Sequence, residues 1–235
     1  MPIDLCDFCN ELSGGKDHAF ARIYRQQPQS RTVFRSSNFA VIPSIGQIVE
    51  GHLLLVPINH YTAIADMPVG LILEAVALQT NIRTVLTKSY GSSVFFEHGI
   101  RNGEPGGCGI DHAHLHAVPL AASSDPVQLL KQQHAFKSIN DISDISRQIP
   151  FNASYLFYEE ITGQKWVFET DWIPSQYVRK LLAETVGNDS WNWRECGREK
   201  TLIQTIERLS NQFVSHAAWP HHHGLQLETN SSTTM

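Results

Sequence analysis

The stretch Asp111-His112-Ala113-His114-Leu115-His116-Ala117-Val118 decides how this chain is read. On an extended strand successive side chains alternate between faces, so His112, His114 and His116 share one side while Ala113, Leu115 and Ala117 point into a core. Three imidazoles on one wall resist simultaneous protonation, which keeps at least one of them neutral and nucleophilic near physiological pH. A neutral imidazole can attack phosphorus and so divide one difficult displacement into two easier ones. His114, with a histidine on either side, is the candidate nucleophile. The same alternation also suits a metal site or a solvated polar face, and spacing alone leaves all three open.

Just before the run lies Asn102-Gly103-Glu104-Pro105-Gly106-Gly107-Cys108-Gly109. Its glycines, Gly107 among them, allow backbone N–H groups to approach an anion, and the Asn102 amide can orient a phosphate or a leaving group. Upstream, residues 32–35, 39–42 and 53–57 read as short β-runs of an antiparallel meander. From Pro68 to Lys88 the apolar residues Leu71, Ala75, Leu78, Ile82 and Val85 recur at three- and four-residue steps, predicting a long helix that covers the sheet. Residues 93–97 and 113–120 complete a strand, loop and strand. After about residue 125 the texture changes to a short helical stretch, a hairpin (155–160 and 165–169) and helices near 175–186 and 200–213. The predicted organisation is a core domain over 1–124, an extension over 125–225 and a polar tail over 226–235. Ser175 is the expected N-cap of the first extension helix, and Gln176 and Arg179 in its first turn can meet substrate oxygens if that turn faces the histidines. An ordinary solvated helix start is the competing reading, and Trp191 and Trp193 read as packing residues.

With 235 residues, 42% hydrophobic and 17% charged, the chain can bury a real core. A net charge of −5 supplies no basic field for duplex nucleic acid or for an anionic membrane surface, so neither is an expected partner. The opening MPIDLCDFCN lacks the pattern of a secretory signal, and the apolar region around Leu71 to Leu78 is interrupted by Glu74; a cytoplasmic protein without a membrane span is the expectation. Four cysteines are too few for a disulfide scaffold. Cys6 and Cys9, two residues apart, suit a metal or redox motif, whereas Cys108 and Cys196 read as free thiols. His221-His222-His223, beside Pro220, reads as an exposed cluster.

His112-Ala-His114-Leu-His116-Ala-Val resembles the defining motif of the histidine triad (HIT) superfamily. Gly51-His52-Leu-Leu-Leu-Val-Pro57 followed by His60 is similar to that family's second landmark, and Cys6-x-x-Cys9 to the amino-terminal pair of many members. The resemblance runs from about Cys6 to Leu120. It implies an α+β fold, a HIT-like antiparallel sheet with a covering helix, here followed by a C-terminal α+β extension. It implies that His114 forms a nucleotidyl-histidine intermediate, positioned and assisted by His112 and His116. It further implies a structural zinc ion on Cys6, Cys9, His60 and His112, and a homodimer. The expected substrate is a nucleotide such as a dinucleoside polyphosphate or a nucleoside phosphoramidate. Transferase branches usually replace the third histidine with glutamine, so His116 favours a hydrolase; a nucleotidyltransferase or phosphorylase is the alternative. Two positions depart from the family pattern: Ser44 stands where many members carry an acidic ribose-binding residue, and Gly107-Cys108-Gly109 replaces a Gly-Gln-Ser type loop. The extension faintly resembles that of HIT-like proteins of the CwfJ group, which keeps open a noncatalytic nucleotide-binding or RNA-processing module.

Overall fold

The computed structural model describes residues 6–25, 28–100, 109–151, 153–170 and 173–213. Two short helices, α1 (Asp7–Leu12) and α2 (Ala19–Ile23), precede the meander β1 (Phe34–Arg35), β2 (Phe39–Pro43) and β3 (Leu53–Pro57). Helix α3 (Val69–Ser89) and strands β4 (Ser93–Gly99) and β5 (Leu115–Pro119) follow. The rest contributes α4 (Val127–Gln133), β6 (Phe136–Ile139), α5 (Ile145–Gln148), β7 (Tyr155–Glu159), β8 (Lys165–Glu169), α6 (Tyr177–Thr185) and α7 (Glu199–Leu209). These eight strands form one antiparallel sheet in the order β1-β2-β3-β5-β4-β7-β8-β6. The architecture is α+β, as the resemblance implies.

The two faces of the sheet are covered differently. Helix α3 presents Ile72, Ala75, Leu78, Ile82, Val85 and Leu86, a stripe at three- and four-residue spacing, to Leu53, Leu55, Phe95, Leu115, Ala117 and Phe157. Each large aliphatic side chain so buried contributes about 1.5–3 kcal/mol relative to exposure. By length and composition α3 is also apolar enough to cross a bilayer, yet this stripe lies against the sheet. On the opposite face α1 sets Phe8 and Leu12 on Leu54 and Val56. Farther along that face, α6 sets Val178, Leu182 and Ala183 among Val94, Phe96, Val118, Leu156 and Tyr158. The histidines lie on this second face, between the two coverings.

Strands of the extension continue the sheet: β7 pairs along β4 from Phe95↔Glu159 to Gly99↔Tyr155. All five β7 residues are buried, so the strand is a central one rather than an edge. The outer position falls to β6, whose Phe136, Lys137 and Ser138 are exposed and which sequence periodicity did not reveal. The strand expected over 113–120 begins only at Leu115. The reason is local: the Ala113 N–H donates to the Tyr61 carbonyl at 2.6 Å, so His112 and His114 run beside the loop after β3 before the ladder starts. Alternation still holds, with Ala113, Leu115 and Ala117 in the α3 core.

Candidate active site and metal cluster

The tight turn at the start of α1 brings Cys6 and Cys9 to two histidines distant in sequence. Cys6 Sγ lies 3.3 Å from His112 Nδ1, and Cys9 Sγ lies 3.4 Å from His60 Nδ1. The four ligand atoms fall within 4.8 Å of one another, the span of a tetrahedral ion with bonds of about 2.0–2.3 Å. His112 Nε2 faces the Pro57 carbonyl oxygen at 2.9 Å; a carbonyl only accepts, so Nε2 carries the proton and the Nδ1 lone pair points at the sulfurs. Burial, with the neighbouring Cys6, pushes the Cys9 thiol up to about 12, and a dication would reverse that preference. The donor set, two sulfurs and two imidazoles, fits zinc and could bind such a metal.

The same carbonyl logic fixes the tautomer of His114. His114 Nδ1 is 2.6 Å from the His112 carbonyl oxygen, so Nδ1 bears the proton and Nε2 keeps a free lone pair. Burial lowers the His114 imidazole to about 4, against the opposing His112 hydrogen bond and aided by the fields of Arg179 and Arg31. The His114 imidazole is therefore neutral at pH 7.

A chain of three groups sets His116. The Ile48 N–H donates to His52 Nδ1 at 3.4 Å, which leaves the His52 proton on Nε2. That proton is donated to His116 Nδ1 at 2.9 Å, so neutral His116 carries its own proton on Nε2. Phe96 stacks on the His116 ring at 4.2 Å and 6°, holding its plane. Burial keeps both His52 and His116 well below the ordinary imidazole range, so the chain stays neutral. His52 is fully buried and hydrogen-bonded on both ring nitrogens.

His114 and His116 open onto a narrow cleft walled by Phe8, Arg31, Ser44, Ile45, Leu54, Ile110, Arg179 and Trp193. Phe8 and Arg31 were not legible as site residues. Arg31 is almost wholly buried, forked on Glu11 by two 2.7 Å contacts and donating to the Pro43 carbonyl at 2.7 Å.

The extension supplies Arg179 and Trp193. Arg179 Nη1 donates to Ser44 Oγ at 3.0 Å and Nη2 to the Gly46 carbonyl at 2.6 Å, which ties α6 to the loop between β2 and β3. Gly46 sits at φ +56, and a Cβ there would meet the Cys196 carbonyl oxygen at 2.5 Å, so only glycine lets the two segments pass this closely. Gln176 takes another place than expected. It occupies the cap position of α6 itself at φ 62, one residue after Ser175, and Ser175 therefore is not the cap. Its amide bonds Asn192 Oδ1 at 2.8 Å and the Trp193 N–H at 3.2 Å, bracing the turn that carries Trp193 instead of lining the cleft. Asn102 and Gly107, the other expected substrate contacts, lie outside the described residues, as do Cys108, the 221–223 histidines and the 226–235 tail.

No family model matches the sequence. The chain is 25% identical over 176 residues to CWF19-like protein 1 of Pongo abelii, a match covering 69% of this chain and 31% of that protein. It is 26% identical over 198 residues to zinc finger CCCH domain-containing protein 64 of Arabidopsis thaliana, covering 75% and 32%. The chain therefore spans about a third of the length of the curated relatives it matches. Among solved structures, a Zn-bound histidine triad family protein from Mycobacterium smegmatis aligns with TM-score 0.37 and 22% identity over 51% of this chain and 77% of that one. A member of the HIT family from Bacillus subtilis aligns with TM-score 0.39 and 21% identity over 49% and 72%. With its antiparallel sheet and covering helix, its histidine wall and this sequence relationship, the chain has a HIT-like fold and is a distant homologue of the CWF19-like proteins.

Proposed function

We propose that this protein is a nucleotide hydrolase that cleaves a phosphoanhydride or phosphoramidate bond through a nucleotidyl-histidine intermediate on His114. The observation that carries this reading is the 2.6 Å contact between His114 Nδ1 and the His112 carbonyl, in a buried setting that leaves Nε2 unprotonated and open to the cleft. In the first step Nε2 attacks the nucleotide phosphorus, a P–N bond forms, and the bond to the leaving group breaks with its electron pair. The positive charge that develops on the ring is held by the His112 carbonyl through the Nδ1 proton. His116, neutral with a proton on Nε2, donates a hydrogen bond to a phosphoryl oxygen. Water then attacks the same phosphorus and loses a proton to solvent, and the P–N bond breaks to restore neutral His114. The cluster of Cys6, Cys9, His60 and His112 would hold zinc in a structural role, tying α1 to the histidine segment.

The direct experiment is turnover of dinucleoside polyphosphates and adenosine phosphoramidates by the wild type and by His114→Ala, with product identification and intact-mass detection of the adduct. Turnover that vanishes in a folded His114→Ala variant is the expected result. Transfer to added phosphate would move the assignment to a phosphorylase. Binding without turnover of any substrate would favour a noncatalytic nucleotide-binding module.

A further inference from the structure

Outside the histidine cleft, the turn between α1 and α2 forms a second polar hollow, in which two adjoining grooves meet at Gly15, His18, Phe20 and Gln29. His18 is 7% exposed and lines both grooves. Its Nδ1 accepts the Ala21 N–H at 3.4 Å and stands 3.9 Å from Glu11 Oε2, so in either charge state Nε2 carries a proton. Nothing among the described residues accepts that proton. The ring is held by this cap contact and by stacking on Phe20 at 6.1 Å and 16°, which makes Nε2–H a donor of fixed position on the groove wall.

The charges around this donor are unbalanced. Lys16 and Arg25 line one groove and Arg35 the other, and all three are exposed. The nearby carboxylates are already committed: Asp7 and Asp17 each lie 2.7 Å from Arg22, and Glu11 is forked on Arg31. Among the described residues no carboxylate pairs with Lys16, Arg25 or Arg35. Three uncompensated cations around one hollow, in a chain of net charge −5, make a local positive field that suits a compact anion. A buried N–H gives such an anion direction, and ammonium and guanidinium groups supply charge-assisted hydrogen bonds from outside. The hollow and the histidine cleft share no lining residue; the link between them is the fork of Glu11, on the hollow, with Arg31, on the cleft.

We infer that this hollow is a second anion site, separate from the histidine cleft, which binds the phosphoryl group of a small molecule through His18 Nε2–H and the cations Lys16, Arg25 and Arg35. The group is either inorganic phosphate or a phosphate monoester. The inference does not depend on the chemistry assigned to His114.

The test is a nitrogen-15 amide titration of the full chain with inorganic phosphate and, separately, with adenosine 5′-monophosphate, at constant ionic strength, for the wild type, His18→Asn and Lys16→Ala. Saturable shifts centred on residues 14–18 and 29–32 are expected with at least one probe. Tighter binding of phosphate at these amides identifies the free anion, and tighter binding of the monophosphate identifies the ester; both support the site. In His18→Asn the side-chain oxygen can keep the cap contact to Ala21 while the Nε2 donor is lost. Affinity at these amides should then fall about tenfold, the loss of one hydrogen bond to a charged group. Lys16→Ala, at an exposed position, should cost about two- to fivefold. Wild-type shifts confined to the cleft lining, or shifts at 14–18 that grow without saturating, overturn the inference with no substitution needed. Unchanged affinity at these amides in a folded His18→Asn variant overturns it as well. Cleft amides are read separately in the same spectra: their silence towards the monophosphate counts against the nucleotide reading, not against this site.

Discussion

His114 Nδ1 lies 2.6 Å from the backbone carbonyl oxygen of His112, so one residue offers its side chain to the Cys6, Cys9 and His60 cluster and its main chain to the His114 imidazole. The proton positions that follow are opposite at neighbouring histidines: Nδ1–H at His114 and Nε2–H at His116. Nitrogen-15 correlation spectra at pH 7 should show these two tautomers. An Nε2–H signal at His114 would remove the lone pair the chemistry needs.

The relay behind His116 can be tested through its first member. His52→Leu deletes the donor to His116 Nδ1 at 2.9 Å without touching the cleft lining. Turnover is expected to fall by about 10–100-fold, the usual effect of removing an orienting partner, and the His116 resonances should report mixed tautomers. Lost activity with the His116 tautomer unchanged would make His52 a packing residue only.

The Gly51-His52 landmark has a backbone cause. Gly51 stands at φ +86, its N–H donates to Thr205 Oγ1 at 2.9 Å, and a Cβ would meet the Tyr90 ring at 2.6 Å and Pro119 Cγ at 2.9 Å. Gly51→Ala is therefore expected to destabilise the fold by at least about 1–2 kcal/mol from the left-handed backbone alone. Urea unfolding of the two proteins measures the difference, and a change below that range would mean the turn relaxes.

Much of this arrangement is legible in the sequence because its signals are periodic or dense. The α3 stripe repeats over about four turns, Leu53–Pro57 is a continuous apolar run, and His112, His114 and His116 alternate within five residues. The cleft wall is a different case. Phe8, Arg31 and Ile110 are single residues with no pattern around them, and they meet the histidines only once α1 is fixed by contacts spanning about a hundred residues, such as Cys6 to His112. Gln176 misled for a related reason: a first-turn position looks available for ligand, but the return of the chain at Asn192 and Trp193 claims its amide. Edge strand β6 buries only Ile139, so it carries no alternation to detect.

Acid should weaken the fold through its neutral histidines. His98, buried on β4 beside Phe96, is lowered by burial from 6.5 to about 3. Between those values the unfolded chain binds more protons than the folded one, so stability rises with pH; the contribution is complete above 6.5 and is lost as pH falls below it. The slope attributable to one such histidine is at most about 1.4 kcal/mol per pH unit. His98→Gln should flatten the stability profile between pH 6.5 and 4 by about that amount, as measured by urea unfolding across the range. An unchanged slope would mean that His98 does not remain neutral in the folded state.

Metal loss should reach the cleft through α1. A helix of six residues has little stability of its own, and α1 has no side-chain cap at Cys6, so its position depends on tertiary contacts and on the cluster. From that position Phe8 meets the His112 ring at 5.7 Å and the His114 ring at 5.4 Å, edge-on. One turn later Glu11 forks Arg31, itself a cleft residue, with two contacts of 2.7 Å. Cys9→Ser or a strong chelator should remove about one zinc ion per chain and lower the melting temperature by roughly 5 °C or more, equivalent to about 2 kcal/mol for a domain of this size. Hydrogen exchange should localise the loss, with α1 amides deprotected while β3, β4 and β5 stay protected. If zinc leaves and α1 keeps its protection, the Glu11–Arg31 fork and the Phe8 packing hold the wall without it, and the cluster is not what positions this side of the cleft.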